Sequence, residues 1–196
     1  RRAAGRGCRA AGPAGGAGGG RGVGGVRDGE GARWAGVMLA RLLTTASLRR
    51  IAGWGPPLRI AFFLRANSNL YATLGSRRIA FAFHDLLDPL SAHLARLNAC
   101  PPDVVAAPPT VLRLLADAAS TGALTIAPRQ VVSVAEVLEA DDAAAVAAAW
   151  DVPVQQVYQA TEGFLGATCA HGRIHLNEDL LHIEPEWIAD GATTPT

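Results

Sequence analysis

Two strings in the chain hold side chains that could do chemistry. Val157-Tyr158-Gln159-Ala160-Thr161-Glu162-Gly163 sets an aromatic ring, a hydroxyl and a carboxylate within five residues, directly ahead of a glycine. That set offers a flat face for a heterocyclic base, a donor for a phosphate oxygen and an anion for Mg²⁺. An ordinary strand-end turn with solvated Thr161 and Glu162 fits the same spacing. In Ser133-Val134-Ala135-Glu136, small residues would let a planar ring approach the backbone. A strand end running into a helix cap is the plainer alternative.

A third cluster, Cys169, His171 and His175, places three possible zinc ligands within seven residues. The spacing matches neither a Cys₂His₂ nor a Cys₄ site, and only Asp179 or His182 could serve as a fourth ligand. The polar rim of a half-buried hairpin is the competing reading. His84 and His93 show no partner pattern and read as surface or satisfied core histidines. Arg65 reads either as a contact for an anionic substrate group or as a surface guanidinium.

The elements that must position these residues follow from periodicity. Trp34, Met38, Leu39, Leu42 and Leu43 have helical spacing, ended by Gly53-Trp54-Gly55-Pro56-Pro57. Short apolar runs at 59–64, 78–83, 104–107, 130–134 and 153–158 read as buried strands. Between them, Asn67 and Ser68 cap a helix to Leu74, Asp88-Pro89 caps one carrying Leu90, Leu94 and Leu97, Pro108-Pro109-Thr110 opens one to about 119, and 141–150 forms an alanine-rich one. Strands alternating with helices imply an α/β fold, a mainly parallel sheet covered on both faces. After Phe164 the pattern becomes a β-hairpin turning at Gly172. Phe62, Phe63, Phe81, Val105, Val132 and Val154 are the expected core.

Composition narrows the chemistry further. The 196 residues include 18 basic ones, all arginine. Without lysine the chain can support no Schiff base, phosphate-loop lysine or lysine-dependent adenylation step. Residues 1–36 hold 7 arginines against 2 acids and 14 of the 22 glycines, whereas residues 37–196 hold 11 arginines against 15 acids. A Gly/Arg-rich leader over 1–32 is therefore expected to stay disordered, with a globular body over 33–190 and a polar, truncated tail over 191–196. No stretch reaches the roughly 20 apolar residues of a membrane span, so no membrane partner is expected. The leader lacks an apolar signal-peptide core, and a cytoplasmic location is expected. Cys8, Cys100 and Cys169 make no disulfide framework. The chain opens on Arg and its one methionine is Met38, which reads as a piece of something longer.

Several strings together resemble the adenylate-forming superfamily that includes acyl-CoA synthetases, and within it the branch of phenylacetate-CoA ligases and CoF synthetases. Tyr158-Gln159-Ala160-Thr161-Glu162 is similar to that superfamily's Tyr-Gly-x-Thr-Glu motif, with Gln159 in place of Gly. Val132-Ser133-Val134-Ala135-Glu136 is similar to its adenine-pocket segment. Ala106-Ala107-Pro108-Pro109, the run from Phe62 to Tyr71, Gln159 to Leu165 and His175-Leu176-Asn177-Glu178-Asp179 are similar to strings of the branch. The resemblance covers about 33–187 and implies part of the large N-terminal domain of an ATP-dependent ligase. It implies that Tyr158 stacks on adenine, Ala135 and Glu136 line its pocket, Gly163 borders the nucleotide, Thr161 holds the α-phosphate and Glu162 binds Mg²⁺. The cofactors implied are ATP/AMP and Mg²⁺, and the partner is a small-molecule carboxylate or a coenzyme.

The departures are specific. Where the family has a hydroxyl-bearing glycine loop, residues 12–22 keep the glycines and lose every hydroxyl. The family's later ribose-binding aspartate segment and its C-terminal domain with a lysine lie beyond this chain. An inactive piece retaining part of an AMP/Mg²⁺ site is therefore expected. A non-catalytic interaction module or pseudoenzyme is the alternative. The third reading is nonspecific, salt-sensitive nucleic-acid binding by the arginine-rich leader, which has no aromatic for stacking on bases.

Overall fold

The computed structural model describes residues 41–65, 76–160, 163–169 and 171–184. The helices expected at 34–45 and 67–74, the leader and the tail lie wholly or largely outside those residues. The described chain runs α1 (Thr45–Ile51), β1 (Leu58–Leu64), β2 (Ile79–Asp85), α2 (Leu90–Ala99), β3 (Val104–Ala107), α3 (Pro109–Ser120), β4 (Gln130–Ser133), α4 (Ala140–Trp150), β5 (Val154–Ala160), β6 (Gly163–Thr168) and β7 (Ile174–Leu176). α1 follows the expected first helix as a separate element, its start marked by Thr44, whose hydroxyl accepts from the Ser47 N–H. Asp88 does not cap α2. Pro89 holds the cap position without a side-chain bond, and the Asp88 carboxylate pairs with Arg96 at 2.7 Å.

The strands form one sheet in the order β2-β1-β3-β4-β5-β6-β7. The first five are mutually parallel and the last two pairings are antiparallel. This is the expected α/β architecture, with one addition. The antiparallel part begins at β5 itself, where Ala160 pairs with Gly163, so two hairpins follow one another. Gly163 has φ 138°, a conformation that L side chains rarely adopt, which accounts for glycine at that junction.

Among the described residues, helical cover is unequal on the two faces. Alternation along the strands sends Ala61, Phe63, Val105, Ala107 and Val131 to one side, where they pack with Leu97 of α2, Leu112 and Leu115 of α3, and Val146 of α4. Leu58, Ile60, Ile79, Val104, Ala106 and Val132 face the other side, against Leu43 and, from α1, Leu48 and Ile51. The expectation of a sheet covered on both faces holds, but three of the four described helices share one side. The connections through α2, α3 and α4 all advance in the same direction across the sheet, and right-handed crossovers then place their helices on the same face. Of the expected core, Phe63, Val105 and Val132 are buried, while Phe62, Phe81 and Val154 are half-buried against the two clusters.

Two polar clusters are built into this packing. Asp103, just before β3, receives both Nη atoms of Arg50 at 2.8 and 2.9 Å and the Arg59 N–H at 2.9 Å. Its own N–H donates to the Arg59 carbonyl, and its carbonyl accepts from Arg129 N–H, both at 2.8 Å. Burial pushes the Asp103 carboxyl up, but the Arg50 and Arg59 hydrogen bonds and charges outweigh it and hold the group below the usual carboxylate range.

The second cluster joins β2 to α2. His84 and His93 are buried, with their Nδ1 atoms 3.3 Å apart. Arg96 Nη2 donates to His93 Nδ1 at 2.9 Å, so His93 Nδ1 is an acceptor and His84 Nδ1–H donates to it. Phe63 stacks on His84 with centroids 4.4 Å apart and meets His93 edge-on. These are core histidines satisfied by one another, a partnership that their nine-residue separation in sequence conceals. Burial, then Arg96 and His93, lower the His84 pKa to about 3, with Asp88 opposing, and burial and Arg96 lower that of His93.

Two outcomes are expected. Asp103→Ala should destabilise the fold by about 3–5 kcal/mol, because the half-buried Arg50 loses its counter-charge. Adding Arg50→Met should recover part of that loss in urea unfolding. For the histidines, the unfolded chain takes up protons below pH about 6.5 that the folded chain refuses until about pH 3. Stability is therefore full above pH 6.5 and falls on acidification by about 1.4 kcal/mol per pH unit for His84. Unfolding titrations from pH 7 to 4 should show that slope reduced in His84→Phe.

Candidate functional site

Parallel strands carry both candidate strings to the same edge. β4 and β5 are neighbours with Ser133 opposite Gln156, so Val134-Ala135-Glu136 leaves the sheet beside the part of β5 that carries Tyr158, toward the carboxyl end. Ligands of open parallel sheets bind outside that end. The direction of chain propagation reverses between β1 and β3, the place such sheets favour for a ligand. Arg65, exposed at the end of β1, and Pro108, at the end of β3, flank that point. From β3 to β5 is about 10 Å, two strand spacings.

Three backbone features shape the edge. Ala135 has φ 68°, a left-handed conformation uncommon for a residue with a side chain, and Glu136 N–H folds back to the Val134 carbonyl at 2.9 Å. The turn keeps Ala135 and Glu136 exposed. A pairing irregularity between Tyr158 and Gln159 marks a bulge in β5, and such bulges re-aim side chains. Tyr158 is 52% exposed there, its ring uncovered at the lip of the sheet. Opposite it stands Gly166, where a Cβ would meet the His175 carbonyl oxygen at 2.7 Å. The close approach of β7 accounts for that glycine.

Glu136 has a partner that sequence reasoning missed. Its carboxylate accepts from Thr110 Oγ1 at 3.0 and 3.3 Å and from Thr110 N–H at 3.4 Å, closing over the start of α3. A carboxylate is favoured there because the first turn of a helix has unpaired N–H groups. Pro108-Pro109-Thr110 signals the helix start in sequence, but its proximity to Glu136 needs β3 and β4 to pair. Ser133, 2% exposed, has an Oγ with no hydrogen-bond partner among the described residues. It stands at the end of β4, two residues before Ala135.

Not every expected site residue is brought into this group. Thr161 and Glu162 connect β5 to β6 in the chain and lie outside the described residues. Gly163 begins β6 beside them. Cys169, His171 and His175 sit on and beside the β6–β7 turn but do not converge: no group of three or more His, Cys, Asp or Glu side chains among the described residues could hold a metal ion. The zinc expectation gains nothing from this geometry, because the turn uses the thiol itself. Cys169 Sγ accepts the His171 N–H at 3.4 Å, while His175 pairs across the sheet with Ala167. Backbone hydrogen bonds from Arg173 and His171 hold the Cys169 thiol below its ordinary pKa. Cys169 is a free thiol.

Asn177 is buried and structural, its amide donating to the Phe164 carbonyl at 2.9 Å and accepting from Arg41. A concavity of about 340 Å³ lies away from the carboxyl edge, between α3 and α4. It is lined mainly by alanines and presents no converging polar groups. No helix among the described residues is long and apolar enough to cross a membrane.

The left-handed turn predicts its own test. A side chain in this conformation costs roughly 1–2 kcal/mol. Because Ala135 is exposed, its methyl adds little packing, and Ala135→Gly should raise the urea midpoint while Ala135→Val lowers it.

No family model matches the chain, and no curated protein sequence matches it. Among solved structures the chain is similar to a malonyl-CoA ligase in a ternary product complex with methylmalonyl-CoA and AMP, at 20% identity and a TM-score of 0.45, over 67% of this chain. It spans 31% of the length of that ligase.

Proposed function

We propose that the carboxyl edge of β4 and β5 is the adenine half of an adenylate-forming site. The observation that carries this reading is the pairing of Ser133 with Gln156, which sets an uncovered tyrosine beside a left-handed, side-chain-poor turn. A planar base needs those two surfaces: a ring to stack on and a backbone it can approach closely. In this assignment Tyr158 takes one face of adenine, Ala135 and Glu136 border its edge, and Gly163 leaves the approach from β6 clear. The unpartnered Ser133 hydroxyl adds a polar group at the same strand end.

Thr161 follows three residues after the tyrosine in the chain, and we assign it the α-phosphate through its hydroxyl. Glu162 is the residue that the family resemblance gives to Mg²⁺. The described carboxylates offer no metal-holding group, so the proposal rests on base and phosphate contacts alone. In the complete reaction a carboxylate oxygen attacks the α-phosphorus of ATP, forming an acyl–adenylate bond as the bond to pyrophosphate breaks. Positioning and charge stabilisation supply most of such catalysis. We assign Arg65, exposed at the end of β1, the contact with an anionic group of the acyl substrate. Within the superfamily we assign the chain to the phenylacetate-CoA ligase and CoF-synthetase branch, as part of an N-terminal domain over 33–190. With no lysine in the sequence, the expected behaviour is nucleotide binding without turnover.

Calorimetry with AMP, with and without Mg²⁺, tests the proposal. AMP should bind, and Tyr158→Ala should weaken it about 5- to 150-fold, the equivalent of 1–3 kcal/mol of stacking. Heats indistinguishable from buffer with a folded sample would refute it.

A further inference from the structure

The amino-terminal end of the sheet has a different chemistry from the end just described. Six arginines lie along it: Arg49 and Arg50 at the end of α1, Arg59 at the start of β1, Arg77 and Arg78 ahead of β2, and Arg129 ahead of β4. The carboxylate among them is Asp103, which is buried and taken up by Arg50 and Arg59. Asp151 stands one strand further along, ahead of β5. Arg49, Arg77, Arg78 and Arg129 are exposed and pair with no carboxylate among the described residues.

In the middle of this rim a turn displays an indole. Trp54 is 78% exposed, an unusual setting for so large an apolar ring. Its position is held by the arginines themselves. Trp54 N–H donates to the Arg49 carbonyl at 2.9 Å. Arg78 donates to the Gly55 carbonyl at 3.3 Å, and its guanidinium lies where a side chain on Gly53 would be, 3.0 Å from the Cβ position. Arg50 donates to the carbonyls of Pro56 and Pro57 at 2.9 and 2.7 Å. The register that pairs Leu58 with Ile79 sets Arg78 beside this turn, and Arg129 N–H is bonded to Asp103. From β2 to β4 the rim runs about 15 Å, three strand spacings.

We infer that this rim binds single-stranded nucleic acid, with Trp54 stacking on a base and Arg49, Arg77, Arg78 and Arg129 meeting the phosphates. An anchored, uncovered aromatic within a row of unpaired guanidinium groups matches how single strands are held without sequence preference. A peptide of acidic residues alone would use the charges but offers no aromatic ring to the indole. None of its residues belongs to the arginine-rich leader, and it lies at the opposite end of the strands from the nucleotide edge.

Fluorescence anisotropy with a labelled twelve-residue oligothymidylate, on the full chain, tests the inference. Trp54→Ala should weaken binding about 5- to 150-fold. Replacing Arg49, Arg77 and Arg129 together by Ser should flatten the slope of log affinity against log salt by about 2. These side chains make no fold contacts described above, and unchanged thermal melting confirms that each variant folds. On the unaltered protein, the oligonucleotide should shield tryptophan fluorescence from acrylamide. Affinity and salt slope indifferent to both variants, or no shielding, would overturn the inference. Equal binding of an oligoglutamate peptide, insensitive to Trp54→Ala, would overturn it in favour of an acidic protein partner.

Discussion

The buried carboxylate of Asp103 ties together four pieces of chain that are far apart in sequence. Through Arg50 it holds the end of α1, through the Arg59 N–H the start of β1, and through its own backbone both β1 and the residue ahead of β4. The central strands are short, only four residues each in β3 and β4, so the sheet has few ladder hydrogen bonds to fix their register. A charge-assisted, partly desolvated node at one end supplies the missing alignment. Its cost is the removal of two charges from water, offset by bidentate geometry and a backbone donor.

The alignment set at the amino-terminal end is read out at the other. Since β3, β4 and β5 are parallel and in fixed register, securing one end determines which residues meet where the strands stop. Glu136 reaches Thr110, and Ala135 comes level with Tyr158, because Ala107 pairs with Ser133 and Ser133 with Gln156. A shift of one residue would exchange the faces of every side chain and separate these groups. The His84–His93 pair performs a related task on the edge strand, fixing α2 against β2 by a hydrogen bond inside an aromatic contact with Phe63.

Charge is also sorted between the two ends. Carboxylates at Asp85, Asp88, Glu136, Glu139 and Asp141 cluster where β2 and β4 give way to loops and helix starts, while the arginines gather at the opposite edge. Acidic residues are favoured near helix N-termini, and the crossover helices all begin at the carboxyl end of the sheet. One topological fact therefore separates an acidic edge of the sheet from a basic one. The even balance of charges in the sequence as a whole conceals this separation.

Local periodicity was enough to locate the five parallel strands to within about two residues of their ends, together with α2, α3 and α4, because burial of one face writes itself into neighbouring side chains. The apolar runs at 104–107 and 130–134 became β3 and β4, and the tyrosine and small-residue strings could be recognised as strand ends. What local pattern could not encode is adjacency. The strand order, the gathering of three helices on one face, the Asp103 node, the histidine pair and the Thr110–Glu136 contact are all nonlocal, and the side-chain pairs among them join residues 9 to 53 positions apart. The zinc-ligand string shows the converse: three residues close in sequence, set on a turn and a strand, form no group that could hold a metal ion among the described residues. Sequence proximity constrains position only along the chain, whereas a site requires side chains to meet across it, and that is settled by which strands pair and in what register.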